Sequence, residues 1–233
     1  MSWSGGKDSA FCLYKAKKQG IEAGTLLTTV NKVHNRISMH GVRKELLEQQ
    51  ATSLQLPLRT VELSEKPGMQ EYENQMSTSF QQLKKEGYTH GLFGDIFLED
   101  LKQYREIQMK NEGLEPVFPL WKMNSHELIK EFIASGFKAI IVCVNSMQLD
   151  KSFCGRLIDE SLLNDLPSAV DVCGENGEYH SFVFDGPLFS KPIPFRKGEL
   201  VYRQYAAPSN GGNECYSESS QCMGFYFCDL LPT

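Results

Sequence analysis

The 233-residue chain has no long hydrophobic run; its longest clean apolar stretch is Ala139 to Val144. Crossing a bilayer as a helix takes about 20 apolar residues, so no transmembrane helix is expected. A cleavable leader is not expected either, because the first residues are polar and Gly-rich rather than basic then apolar. Positive charge is not in excess. Lys and Arg number 24 against 29 Asp and Glu, a net charge of −5, which argues against general nucleic-acid binding but leaves room for a local basic pocket. None of the seven cysteines (12, 143, 154, 173, 215, 222 and 228) forms a C-x-x-C pair, so neither a zinc knuckle nor a thioredoxin-type redox pair is indicated. Cys12 and Cys143 lie among apolar neighbours and read as buried free thiols, and the odd count fits a reducing, cytoplasmic setting. Internal repeats and low-complexity tracts are missing too.

What remains is an ordinary globular composition, 41% hydrophobic and 23% charged, long enough to bury a core without disulfide or metal staples. The first half alternates strand and helix. Helices are expected over 8–19, 40–54, 70–86 and 99–112, with strands over 22–30, 57–63, 90–93 and 116–118. Only Met1 to Trp3 precede the first glycine turn, so the first strand is either short or incomplete. Such alternation builds a doubly wound parallel sheet, with ligands at the carboxyl ends of its strands. Beyond Trp121 the pattern becomes α+β. A helix is expected at 125–134, a buried strand at 138–144, helical residues near 159–163, a strand at 179–184 and a last strand at 224–230. Residues 206–221 read as a mobile polar loop. The expected division is 1–121 and 122–233.

The sharpest feature is Ser4-Gly5-Gly6-Lys7-Asp8-Ser9, a glycine turn running into a helix. Glycines let backbone N–H groups approach an anion, and a helix N-terminus adds partial positive charge. Ser4, Ser9 and Lys7 supply further donors, which makes a pyrophosphate cradle. Asp8 would repel bare phosphate, so Mg²⁺ is its natural partner. A Walker A loop would need a glycine where Met1 stands.

A second cluster lies at Glu175, Glu178 and His180. Asn176-Gly177 signals a type I′ hairpin, and Glu178, His180, Phe182 and Phe184 share one face of the following strand. Taken alone this is equally a polar turn on an ordinary hairpin. Gly94-Asp95, after a strand, reads either as a turn capping the next helix or as a phosphate-side pair. Thr28, Thr29 and Val30 end a strand where nucleotide bases are held through backbone groups, or are plain buried strand. His34, Arg36, His40 and Arg43, and also Lys102, Tyr104 and Arg105, read as solvated residues or as phosphate contacts. Trp121 reads as packing between the two halves.

The Ser4–Ser9 segment resembles the SGGxDS pyrophosphate loop (PP-loop) of the N-type ATP pyrophosphatases, which cleave ATP between its α and β phosphates. That resemblance implies a HUP-like, Rossmann-like nucleotide domain. Gly174-Glu175-Asn176-Gly177-Glu178-Tyr179-His180-Ser181, followed by Asp185, Pro187 and Phe189, is similar to the signature of the diphthine–ammonia ligase family. Gly94-Asp95-Ile96, Pro119-Leu120-Trp121 and Gly136-Phe137-Lys138-Ala139 match it in order and spacing, so the resemblance covers nearly the whole chain. One departure is Met109, near a place where many members carry cysteine. The resemblance implies an AMP-forming amide ligase using ATP, Mg²⁺, ammonia and a carboxylate acceptor, which in the family is diphthine on elongation factor 2. It implies Ser4, Gly5, Gly6, Lys7, Asp8, Ser9, Thr29, Gly94 and Asp95 at the nucleotide, Asp8 and Asp95 at the metal, and Lys7, Glu175, Glu178 and His180 in catalysis. A small-molecule acceptor, a non-catalytic nucleotide-binding regulator and a homo-oligomer stay open.

Overall fold

Leu26 and Leu27 point to opposite faces of their strand, and each face carries a helical layer. A computed structural model describes residues 1–38, 40–206 and 222–233. In its first half β1 (Leu26–Asn31) runs parallel to β3 (Leu58–Leu63), and β4 (His90–Leu92) runs parallel to β5 (Glu115–Val117). Met1 to Trp3 join the two pairs. Ser2 N donates to Leu92 O at 2.9 Å, Trp3 N to Leu27 O at 2.8 Å, and Leu27 N to Met1 O at 2.9 Å. Residues 1–3 are therefore strand-like, wedged between β1 and β4. The resulting parallel order is β3, β1, residues 1–3, β4, β5, the doubly wound arrangement expected from the alternation.

On one face α1 (Lys7–Lys18) and α2 (Lys44–Leu54) bury Ala10, Phe11, Leu46 and Leu47 with Leu26 and Val30. On the other, α3 (Met69–Lys85) and α4 (Glu99–Asn111) bury Met76, Phe80, Leu83 and Met109 with Leu27, Val61 and Phe93. This is the two-sided covering that a parallel sheet requires.

The second half holds a four-stranded antiparallel sheet in the order β7-β6-β9-β8. Its strands are β6 (Lys138–Asn145), β7 (Tyr179–Asp185), β8 (Phe195–Ala206) and β9 (Cys222–Pro232), with α5 (Ser125–Ala134) and α6 (Glu160–Asp165) beside them. The helix start at Ser125 follows from Asn124, whose side chain accepts from His126 N and Glu127 N. The mobile loop expected over 206–221 lies outside the described residues, apart from Ala206 at the end of β8.

Three expectations fail locally. The strand expected from residue 22 begins at Leu26. The helix expected from residue 40 begins at Lys44, because Arg36–Ile37 form β2 against Asn31 and Val30, and Ile37 N donates to Val42 O at 2.8 Å. No hairpin surrounds Asn176-Gly177. Only Gly177 of that pair has positive φ, whereas a type I′ turn needs both. The partner of β7 is the distant β6, with Ile140 opposite Phe182.

Candidate functional site

The direction of the sheet order reverses between residues 1–3 and β4, which is where an open α/β sheet forms its ligand crevice. Two loops leave the sheet there. Ser4–Ser9 leads into α1, and Gly94–Asp95 follows β4. They abut closely, since a Cβ on Gly94 would sit 2.8 Å from the Asp8 carbonyl oxygen.

Gly5 has φ +78°, and Gly6 is the extended N-cap of α1 with no side-chain cap. Uncapped first-turn N–H groups make a helix start receptive to anions. Ser9 Oγ donates to Gly6 O at 2.9 Å, and Gly6 N reaches Ser4 Oγ at 3.3 Å. Lys7 is buried at 2% exposure, 2.6 Å from Asp8 and 5.5 Å above the Tyr179 ring. Burial works most strongly against its charge, but Asp8 together with Tyr179 and Cys173 outweighs it, and the lysine is held as a cation well above its ordinary value.

Around this cation stand carboxylates from three segments. Asp95 is buried and accepts from Arg105 Nε at 3.0 Å. Burial raises its pKa despite Arg105, and Asp8 adds to the rise. Glu175 accepts from Ile96 N at 2.8 Å, which ties the second motif to the Gly94–Asp95 loop. Burial first, then Asp8, pushes Glu175 up to about 7. Among the described residues no group of three or more His, Cys, Asp and Glu side chains forms a metal-holding set. Asp8 and Asp95 nevertheless fit Mg²⁺, which takes one or two carboxylates and completes its shell with phosphate oxygens and water. Burial is the larger cause of the rise at Asp95 and Glu175, and the added repulsion from Asp8 is what such a cation would relieve.

Strand β7 lies directly on the glycine loop. Val183 N donates to Gly5 O at 2.9 Å, and Lys7 N donates to Ser181 Oγ at 3.1 Å. His180 packs against His40 with ring centroids 4.6 Å apart. His40 Nδ1 lies 3.3 Å from Ser181 O, which places its proton on Nδ1. Burial drives His40 down to about 4 and His180 well below its ordinary value, so both rings are neutral at pH 7.

The structure thus gathers Ser4 to Ser9, Gly94, Asp95, Glu175 and His180. It turns Glu178 elsewhere. That residue is 1% exposed, and its Oε1 accepts from Asp171 N and Asn176 Nδ2, so its hydrogen bonds stay within its own loop. Thr29 is half-buried on β1 opposite Val61, beside a buried Thr28 whose Oγ1 has no partner among the described residues. Arg36 and Arg43 both bind Asp229 of β9, and His34 lies 3.3 Å from Glu65. Lys102 sits over the Phe118 and Trp121 rings. The residues not anticipated are Gln50, Ser181 and Tyr179. For Gln50 a signal existed, because it falls within the apolar face marked by Leu46, Leu47, Ala51 and Leu54.

Pyrophosphate-loop geometry at the switch point of a doubly wound sheet defines a class of nucleotide-site proteins, and the comparisons narrow it. The diphthamide synthase N-terminal domain matches residues 1–116, and the diphthamide synthase C-terminal domain matches residues 124–207. The chain belongs to the diphthamide synthase family. It is 35% identical to the diphthine–ammonia ligase of Bos taurus over 125 residues, 51% of this chain and 47% of that protein. The Homo sapiens ligase is 34% identical over the same length. The match to the Danio rerio ligase is 29% over 222 residues, 85% of this chain and 86% of that protein. In its matches to the mammalian relatives the chain spans about half of their length, 47% for Bos taurus. A solved structure, a predicted subunit of tRNA methyltransferase from Methanocaldococcus jannaschii, overlaps with a TM-score of 0.42 at 17% identity, covering 80% of this chain and 95% of that one.

Proposed function

We propose that the chain is an ATP-dependent, AMP-forming amide ligase that adenylates a carboxylate and passes the acyl group to ammonia. The observation that carries this reading is the meeting of an uncapped helix start, two glycines and a buried lysine with carboxylates at one crevice. Residues 1–121 grip the nucleotide, and residues 122–233 supply the acceptor side through Glu175 and His180.

The β and γ phosphates of ATP lie on Ser4 to Ser9, with Thr29 near the base and Gly94 beside the phosphates. Mg²⁺ held by Asp8 and Asp95 would neutralise phosphate charge. The acceptor carboxylate oxygen attacks the α phosphorus, the bond to the β-phosphate oxygen breaks, and pyrophosphate leaves. Lys7 and the helix terminus stabilise the charge on the leaving group. Ammonia then attacks the acyl carbon, AMP departs, and the surplus proton goes to a base. Glu175, pushed up to about 7, suits that task at neutral pH. His180 is too weakly basic to take a proton from ammonium, and serves instead as a neutral imidazole orienting the acceptor. Glu178 shapes the loop that presents Glu175.

The relatives' name, diphthine–ammonia ligase, points to a diphthine carboxylate as acceptor, on elongation factor 2 as the resemblance implies, in the cytoplasm. The test is product analysis with ATP, Mg²⁺, ammonium and diphthine-bearing acceptor. Free AMP, and pyrophosphate beyond a single turnover, should form only when acceptor and ammonium are both present. ADP with phosphate as the products would overturn the proposal.

A further inference from the structure

We propose that Gln50 is a positioning residue that locks the Gly5–Gly6 peptide in its phosphate-binding orientation, and that the lock closes only when β7 is docked. This rests on the reading that Ser4 to Ser9 takes the pyrophosphate portion of the nucleotide.

Gln50 is fully buried on α2. Its Nε2 donates to Gly5 O at 3.0 Å and to Val183 O at 2.6 Å. Its Oε1 accepts from Trp3 Nε1 at 2.9 Å. An indole N–H only donates, so Trp3 fixes which end of the amide faces which way and leaves the NH₂ group toward Gly5. The Gly5 carbonyl is tied a second time, by Val183 N at 2.9 Å.

A trans peptide holds its carbonyl and its N–H on opposite sides. Tying back the Gly5 oxygen therefore turns the Gly6 N–H away from Gln50 and β7. There, among the described residues, it meets only Ser4 Oγ at 3.3 Å, a long contact that an anion can outcompete. Gly5, at φ +78° and without a Cβ, offers little resistance to rotation of this peptide. A rotated peptide would aim a carbonyl oxygen where a phosphate oxygen should sit. Half of the restraint comes from Gln50 in the first half of the chain and half from Val183 in the second. The loop's competence is thereby linked to docking of the acceptor-side sheet.

The test titrates inorganic pyrophosphate and, separately, adenosine into the full chain carrying Gln50→Met, which keeps bulk and removes the donor. Pyrophosphate Kd should rise about tenfold or more, as expected on losing a buried hydrogen bond, while adenosine Kd stays the same. In wild type, pyrophosphate should slow hydrogen exchange at the Val183 amide, and in Gln50→Met it should not. If Gln50→Met shows no cooperative melt, Trp3→Phe carries the test, because it frees the amide of Gln50 to turn. It should weaken pyrophosphate about threefold or more and spare adenosine. Unchanged pyrophosphate affinity in the folded variants would overturn the lock. So would equal losses for both ligands, which would mark Gln50 as general packing. Wild type that fails to bind pyrophosphate would overturn the phosphate-loop reading itself, and the lock with it.

Discussion

Gly94 has no room for a methyl group. A Cβ there would meet the Asp8 carbonyl oxygen at 2.8 Å and its carbon at 3.0 Å, and neither atom can move without disturbing the first turn of α1. Gly94→Ala should therefore destabilise the fold by about 1–3 kcal/mol and weaken pyrophosphate binding. Gly68→Ala, with nothing within 4 Å of the new Cβ, should shift stability by less than about 1 kcal/mol. Urea unfolding of both variants checks the contrast. Glu175 makes a different demand. Its folded-state value of about 7 lies above the ordinary 4.5. Between those pH values the native state holds more protons than the unfolded chain, so this group's contribution to stability falls as pH rises through that window. Glu175→Gln should remove this loss, leaving a variant that gains on wild type from pH 5 to pH 8. Unfolding curves at the two pH values measure it, and a variant that loses ground would refute the assignment. In a ligation assay the same substitution should abolish a rate limb rising near pH 7.

Elements join the site through long-range contacts, and that separates what was legible in the sequence from what was not. The glycine loop and helix α5 were readable because their signals are local: two glycines before a helix start, and a helical run over 125–134 that the structure starts at Asn124. Helix α2 was read four residues too long, since the two-residue strand β2 depends on pairing with β1. The Asn176-Gly177 signal misled because hairpins need strands on both sides. Residues 171–178 instead form a loop with Asp171 N donating to Glu178 Oε1 at 2.9 Å and Glu175 N to Asp171 Oδ2 at 3.0 Å, and Tyr179 OH closes it by donating to Val172 O at 2.6 Å. The docking of β7 on the glycine loop spans most of the chain and leaves no trace in periodicity. The hold of β9 on the β2 region was equally hidden. Asp229 binds Arg36 at 2.8 Å and Arg43 at 2.7 Å. Burial pushes this carboxylate up, but the two arginines outweigh it and hold it at about 2. Its stabilisation is present above the ordinary carboxylate range and is lost as pH falls toward 2. Asp229→Asn should cost about 1–2 kcal/mol at pH 7, a difference that shrinks as pH falls toward 2 and disappears only below it. Paired denaturation curves across that range are the check.

At the scale of the molecule the two halves share one core. A single apolar cluster contains Trp3, Phe11, Leu46 and Leu120 together with Leu128, Phe132, Phe182 and Leu230. The second cluster, beneath α3 and α4, meets the first through the sheet, where Leu27 and Leu26 are chain neighbours on opposite faces. Neither half can therefore unfold without exposing apolar surface of the other, at about 25 cal/mol for each Å² exposed. Heating should give one cooperative transition rather than two. Pyrophosphate bound at Ser4 to Ser9 should raise all of it, because the loop is tied to Val183 and Ser181 of β7. At one hundred times its Kd the ligand adds about 2.7 kcal/mol. A chain of this size gains about 2–4 °C in Tm per kcal/mol, so the transition should rise by about 5–10 °C. Scanning calorimetry with and without pyrophosphate decides the matter. Two peaks, or a ligand that moves only part of the transition, would show that the glycine loop and the four-stranded antiparallel sheet fold independently and that their contacts do not couple them.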